Sequence, residues 1–587
     1  MLILVRRRRA KWYWLTAVLG LLALLPKVEW GQGMASRGAA ALPEPSSSGL
    51  PFAVTFNDVA AAAGLRTPLI SGGEKRKYII ETMGTGVAFL DYDNDGWMDV
   101  FLVNGSRFEP MPAGPKPANH LYRNNRDGTF LDVTNKAGLT HSGWGQSVTA
   151  ADYDNDGHVD LFITYWGRNI LYRNLGNGTF VDVSIGAGVV ADPRRWGSGA
   201  SFIDYDLDGD LDLFVANYLT LDLRQTPLPG KDPNCIWLGI PVFCGPRGLP
   251  FSSNLLYRNN GDGTFTDVSI FSGIGAPQKT YALGVLAADL DNDGWPDLYV
   301  AGDSTRSLFY HNNHNSTFSE RATYTGLAYD ENGLEQAGMG LALGDYDGDG
   351  LLDIVKTNFA DDYPNLYRNI GKGGFTDRAL FAGLGIHPQY VLWSAILADF
   401  DNDGWADLFL TAGHTFAEVD RLKTIQRFRN PRLLYRNLGN GKFEDVSKMA
   451  GQAMRAEHSS RGAASGDFNN DGSIDLLIMN MNEAPTLLKN TNDSGNHWFT
   501  VKLTGTRSNR SAIGAKVRME AGGRVQTGVI LSQSGYYSCN DPRVHFGLRT
   551  ASRVDRLEVA WPGGQVETWK SLPADKIFTA IEGSAPQ

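Results

Sequence analysis

Apolar residues in this chain come in short bursts, not in long runs or with a helical period. Four-residue apolar stretches at 87–90, 200–203 and 285–288 each stand just before an acidic, glycine-containing loop. Just after the loop comes a stretch rich in β-branched and aromatic residues, as at 99–103, 212–215 and 407–410. Runs of this kind, bounded by turn residues, predict short strands. A third stretch reads Leu-Tyr-Arg-Asn at 121–124, 171–174, 256–259 and 434–437. Turns such as Asp127-Gly128, Asn177-Gly178 and Asp262-Gly263 then signal a hairpin into a fourth strand, at 129–133, 179–183 and 264–268.

The whole pattern recurs. Its loop, Asp-x-Asp-x-Asp-Gly-x-x-Asp, begins at Asp91, Asp152, Asp204, Asp289, Asp345, Asp399 and Asp467, at spacings of 52 to 85 residues. Seven four-stranded repeats predict an all-β fold, a seven-bladed propeller. Two features favour a closed ring over an open stack. The last repeat lacks a fourth strand, while 55–59 has the fourth-strand pattern with no repeat before it. The N-terminal segment can therefore complete the seventh blade and remove a sheet edge. The residue five before each loop is also small: Gly86, Ser147, Gly199, Gly284, Gly340, Ser394 and Gly462. Small residues suit inner strands that crowd an axis.

The loops carry the chemistry. Carboxylates at positions 1, 3, 5 and 9 can converge on one hard cation, and the glycine at position 6 allows the sharp turn. The expected calcium ligands are Asp91, Asp93, Asp95 and Asp99; Asp152, Asp154, Asp156 and Asp160; Asp204, Asp206, Asp208 and Asp212; Asp289, Asp291, Asp293 and Asp297; Asp345, Asp347, Asp349 and Asp353; Asp399, Asp401, Asp403 and Asp407; and Asp467, Asn469, Asp471 and Asp475. Asp, Asn and Gly also make good turns without metal. Turn-making does not explain why four positions are nearly always Asp, and the bare clusters would repel themselves. The nine-residue loop between strands excludes an EF-hand, which needs twelve positions between helices. Asn469 leaves the seventh loop one charge short, and Asp210 adds one to the third.

Up to seven calcium ions would move the formal charge from −10 to +4. Either value argues against nucleic acid as the main partner. At the N-terminus, Arg6 to Arg9 precede an apolar run from Trp12 to Leu25, too short for a comfortable membrane span. Residues 1–33 thus read as an export signal, or as an anchor if uncleaved, which would be the only membrane attachment. Residues 34–52 read as a flexible linker. An exported chain is secreted, periplasmic or cell-surface. In such a compartment Cys235 and Cys244, nine residues apart, are candidates for a disulfide.

These repeats resemble the FG-GAP or VCBS type of the integrin α-subunit propeller, over roughly 53–492. That resemblance implies seven blades with calcium in the same loops. Residues 495–583 resemble the ASPIC/UnbV domain through His497-Trp498-Phe499, the 509–515 run Asn-Arg-Ser-Ala-Ile-Gly-Ala, Gly535-Tyr536-Tyr537-Ser538, His545-Phe546-Gly547-Leu548, and Trp561-Pro562-Gly563-Gly564. The combined order is similar to the cartilage acidic protein family, which implies an extracellular or periplasmic protein of matrix or adhesion type. The segment's own alternating strands read as a small β domain.

Long second-to-third-strand connections, at 104–118, 219–253 and 414–431, leave from the face opposite the calcium loops. Links between blades emerge there too, carrying His141, Trp144, Arg195, Trp196, Tyr281, His387, Trp393, His458 and Arg461. Such a rim would suit a sugar, an acidic peptide or another carboxylate, that is, an unidentified protein or glycan partner. The same residues can instead pack between blades. A binding or adhesion module is the expected class. The alternative is a hydrolase or lyase with an axial site on that face. No nucleophile elbow, phosphate-binding glycine loop or HExxH motif supports the alternative.

Overall fold

A computed structural model describes residues 47–110 and 116–585. The expected signal segment and most of the linker lie outside the described residues, as does part of the 104–118 connection. Among the described residues no helix is long and apolar enough to cross a membrane. Residues 47–52, read as linker from composition, are anchored: Ser48 Oγ donates to Glu444 at 2.8 Å and Arg436 to the Pro51 carbonyl at 3.0 Å.

Every acidic loop connects the first two strands of a four-stranded antiparallel unit. In unit 1 the order is Val87–Leu90, Asp99–Leu102, His120–Asn124 and Phe130–Asp132. Units 2 and 3 follow the same order and are joined into one sheet by Trp196 opposite Trp166. In unit 7, Ser460–Gly466, Asp475–Asn480 and Thr486–Asn492 are completed by the N-terminal strand Val54–Asp58. That strand runs antiparallel, with Val54 opposite Asn492 and Asp58 opposite Leu488. The first strands of consecutive units lie side by side, and that of unit 7 lies against that of unit 1. The small residues on these strands have the expected cause. A Cβ added at Gly199, Gly284 or Gly340 would sit 2.5, 2.3 or 2.1 Å from a carbonyl of the next unit.

The C-terminal region forms two further sheets. His497–Thr504 pairs antiparallel with Val544–Arg549 and parallel with Lys576–Ile581. Lys516–Ala521 lies between Arg524–Val529 and Arg553–Ala560, and Val566–Pro573 forms the outer edge. Their apolar faces, including Phe499, Val517, Leu557 and Trp561, share one core with Tyr153, Phe202 and Leu213 of units 2 and 3.

Between Arg524–Val529 and Val544–Arg549 the chain leaves this domain as a tongue and enters the axis of the units. Gly535 and Leu341 exchange backbone hydrogen bonds of 2.7 and 3.0 Å, Val148 N–H donates to the Tyr537 carbonyl at 3.1 Å, and Cys539 N–H donates to the Val87 carbonyl at 3.0 Å. Tyr536 and Tyr537 stack with ring centroids 3.9 Å apart and are wholly buried. From the other end, the 219–253 insertion contributes Trp237, Val242 and Phe243, which join the two tyrosines in one buried cluster. A disulfide joins Cys235 to Cys244 in that insertion.

Candidate metal centres

Each loop is wound around its own carboxylates. The position-1 aspartate accepts the backbone N–H groups of positions 5 and 6, as Asp152 does from Asp156 at 3.0 Å and Gly157 at 2.7 Å. Position 4 takes a left-handed conformation at Asn94, Asn155, Leu207, Asn292, Asn402 and Asn470, and a glycine, Gly348, stands there in loop 5. The position-9 aspartate begins the second strand. Asp160 accepts the Tyr153 and Asn174 N–H groups at 3.2 and 2.7 Å, closing the loop onto the third strand.

With these oxygens committed to the backbone, position 3 is left over. Asp154, Asp206, Asp291 and Asp347 each hold a buried Oδ1 with no hydrogen-bond partner, and Asn469 Oδ1 is in the same state. Asn469 turns its amide toward Asp471 at 2.7 Å, which leaves its oxygen as a donor atom for a cation. In units 1 to 3 the carboxylates of positions 1, 3 and 9 lie within 4.8 Å of one another. The donor set is all oxygen, clustered and partly orphaned, so these residues fit a calcium ion.

The electrostatics point the same way. Burial, reinforced by neighbouring carboxylates, pushes Asp99 up to about 8, Asp160 to about 9 and Asp353 to about 8. Asp212, Asp407 and Asp475 are driven well above the usual carboxylate range for the same reason. Burial of a lone carboxylate is costly, and a bound divalent ion removes that cost.

Two features of the site are absent from the expectation. The first is the third-strand asparagine, whose Nδ2 reaches the position-2 carbonyl of a loop in a neighbouring unit. Asn174 donates to Tyr92 at 2.8 Å, Asn259 to Tyr153 at 2.9 Å, Asn312 to Tyr205 at 2.8 Å, Asn369 to Leu290 at 2.9 Å, Asn437 to Tyr346 at 2.8 Å and Asn490 to Phe400 at 2.9 Å. Asn124 of unit 1 donates to Phe468 of unit 7 at 2.8 Å. The signal was present, since this Asn recurs in every repeat.

The second is the C-terminal domain, which sits on the loop face. Lys502 Nζ lies 3.2 Å from Asp91 and Lys516 Nζ 2.8 Å from Asp289. Arg543 donates to the Asp467 carbonyl at 2.8 Å, and the Arg524 guanidinium lies 3.5 Å above the Trp405 ring.

The expected rim on the opposite face is divided. Trp196, Tyr281, Trp393 and Arg461 are interior residues, packed in the cluster or against its rings. The Arg461 guanidinium lies 4.0 Å over Trp393, which itself meets Tyr536 edge-on at 5.0 Å. Their burial corrects the expected rim at these four positions: the tongue and the insertion pack around them. Arg195 is tied to the Ser253 carbonyl at 2.7 Å, and Trp144 packs on Phe108. His141 meets Tyr165 edge-on, His387 pairs with Asp445 at 2.8 Å and His458 with Glu483 at 2.6 Å, so the three histidines have separate partners.

Comparison with known proteins finds two families in the chain. The FG-GAP-like repeat family matches residues 91–163, 152–215, 242–300 and 289–356, and the ASPIC and UnbV family matches 505–587. The chain carries FG-GAP repeats and an ASPIC/UnbV domain. Its relatives include cartilage acidic protein 1 of Mus musculus, 24% identical over 528 residues, 86% of this chain and 74% of that protein. The Homo sapiens protein of the same name is 24% identical over 85% of this chain and 71% of its own length. An Agrocybe aegerita lectin of known structure is 16% identical, with a TM-score of 0.37, over 68% of this chain and 86% of that one. The matched FG-GAP repeats hold the first five acidic loops, and the matched ASPIC/UnbV residues hold the axial tongue and Lys516, Arg524 and Arg543 of the basic cover.

Proposed function

We propose that the chain is an exported, calcium-loaded, closed seven-bladed propeller that binds a protein or glycan partner as an adhesion or recognition module. What supports closure is the asparagine relay between units, which includes the step from unit 1 to unit 7. Calcium is supported by the unpartnered position-3 oxygens. When bound, calcium would draw the two halves of each loop together. Export is supported by the basic and apolar N-terminal pattern and by the Cys235–Cys244 bond, which suits an oxidising compartment.

One observation carries recognition over an axial reaction: the axis, where the enzyme alternative placed its site, is packed with aromatic side chains from both ends. A partner would then meet the outer surfaces. Removing calcium is expected to lower the melting temperature by on the order of 10 °C, because many sites bind the folded state only. An unchanged melting curve in excess chelator refutes the structural role of the metal. Glycan and protein arrays probed with and without calcium test recognition. Calcium-dependent capture of one class supports it, and turnover of an arrayed glycan or peptide overturns it.

A further inference from the structure

The seven repeats provide an internal comparison. On the third strand, the residue before the relay asparagine is Arg123, Arg173, Arg258, Arg368, Arg436 or Lys489 in six units. In unit 4 it is His311. The cationic side chain serves the loop as a counter-charge. In unit 2, Arg173 lies 2.6 Å from Asp154 and 3.1 Å from Asp156. In unit 5, Arg368 pairs with Asp347 and, at 2.8 Å, with Asp349. An arginine cannot ligate a metal, because it does not lose its proton. An imidazole can.

His311 reaches into its loop just as the arginines do. Its Nδ1 is 3.1 Å from Asp291 Oδ2 and 3.4 Å from Asp297 Oδ1. One ligand atom from each of these three residues lies within 4.8 Å of the other two. The side chains are 12%, 14% and 0% exposed, so the group is shielded from bulk water. Asp291 Oδ1 is buried without a hydrogen-bond partner, and His311 Nδ1 faces only the two carboxylates. A bare carboxylate oxygen beside an imidazole nitrogen in one small site calls for an occupant that both can ligate. A second imidazole supports the loop from outside: His314 Nε2 lies 2.7 Å from Asp293 and its ring stacks on Trp295. This contact occupies Asp293 and leaves His311, Asp291 and Asp297 as the inner group.

Nitrogen in the donor set changes the metal. Calcium takes oxygen ligands, whereas imidazole with carboxylates suits first-row divalent transition ions. We propose that the unit 4 loop is a transition-metal site, held by His311, Asp291 and Asp297, in a ring whose other loops take calcium. This rests on reading the loops as cation sites, and the test separates the two readings.

The full chain is stripped of metal, equilibrated with zinc chloride in a large excess of calcium, desalted and analysed for both elements. The wild type is expected to keep one equivalent of zinc together with calcium. His311→Arg is expected to lose the zinc and gain one calcium. It restores the residue found at this position in five other units, so folding is favoured. X-ray absorption at the zinc edge of the wild type should show an imidazole in the first shell, a measurement that needs no variant. Absence of zinc from the wild type, zinc without an imidazole ligand, or full retention of zinc by His311→Arg overturns the proposal. If neither protein keeps calcium, the reading of the other loops fails instead.

Discussion

The relay asparagine shows how one residue type can join two units. Asn174 is fully buried; it donates to Tyr92 of unit 1 and to Val159 of its own unit, and accepts from Gly176. Asn174→Ala would leave the buried Tyr92 carbonyl, the half-buried Val159 carbonyl and the exposed Gly176 N–H without this partner. Leaving buried polar groups unpaired costs roughly 1–3 kcal/mol each, less whatever water can recover. Chemical denaturation in calcium should therefore show a loss of about 2–4 kcal/mol. A loss below about 0.5 kcal/mol would mean that the relay adds nothing to stability.

Asp303 makes a different residue-scale case. It is buried near the axis, accepts from the Tyr218 hydroxyl and from Ser304 Oγ, and has Arg247 nearby. Burial outweighs these partners and pushes its carboxyl up to about 6. A raised folded-state value means stability that is complete below about pH 4 and lost as the pH climbs through about 6. The size of that loss is on the order of 3 kcal/mol. Asp303→Asn keeps an acceptor for Tyr218 without the charge. Relative to the wild type, the variant should gain stability between pH 4 and pH 7. Comparing the two proteins at each pH cancels the contribution of the loop carboxylates, and a constant difference would contradict the assignment.

At the level of elements, the tongue docks by backbone pairing against first strands, and Gly86 is where it comes closest. A Cβ there would lie 1.7 Å from the Tyr537 carbonyl, and Gly86 has no left-handed conformation to explain its identity. Gly86→Ala should therefore push the tongue outward while the strands of unit 1 stay paired. Hydrogen exchange should rise at Gly535 and Cys539, which pair with Leu341 and Val87, and remain slow in strand Asp99–Leu102. Unchanged protection at Gly535 and Cys539 would show that the tongue is not held by this contact. The repeats were legible because each is local: loop, strand and turn lie within some thirty to sixty residues, and their pattern recurs. The tongue was not legible. Its partners are some 75 to 450 residues away in sequence, and a Gly-Tyr-Tyr-Ser run announces no partner. The same distance explains Trp196, Trp393 and Arg461. Aromatic and cationic residues on links near an axis look like a rim until something from another domain buries them.

The molecule as a whole depends on where its first strand meets the last repeat. The outer strand of unit 7 comes from the N-terminal side, so the last unit is held by residues more than 400 positions apart. Val54 and Phe56 are fully buried, and Phe56 meets Phe400 of unit 6 edge-on at 5.6 Å. Deleting everything before residue 60 removes this strand and uncovers the edge of Thr486–Asn492. Two lost apolar side chains account for about 3–6 kcal/mol, and the freed edge adds an aggregation hazard. The truncated protein should melt earlier and associate, even with calcium present. A synthetic peptide spanning residues 50–60 should bind the open edge in the register of the native strand and reverse both effects. Fluorescence anisotropy of the labelled peptide reads binding, and light scattering reads association. If the truncated protein melts like the full chain, the repeats do not need the N-terminal strand. If it is destabilised but ignores the peptide, the strand acts through its link to unit 6 and not through the shared sheet.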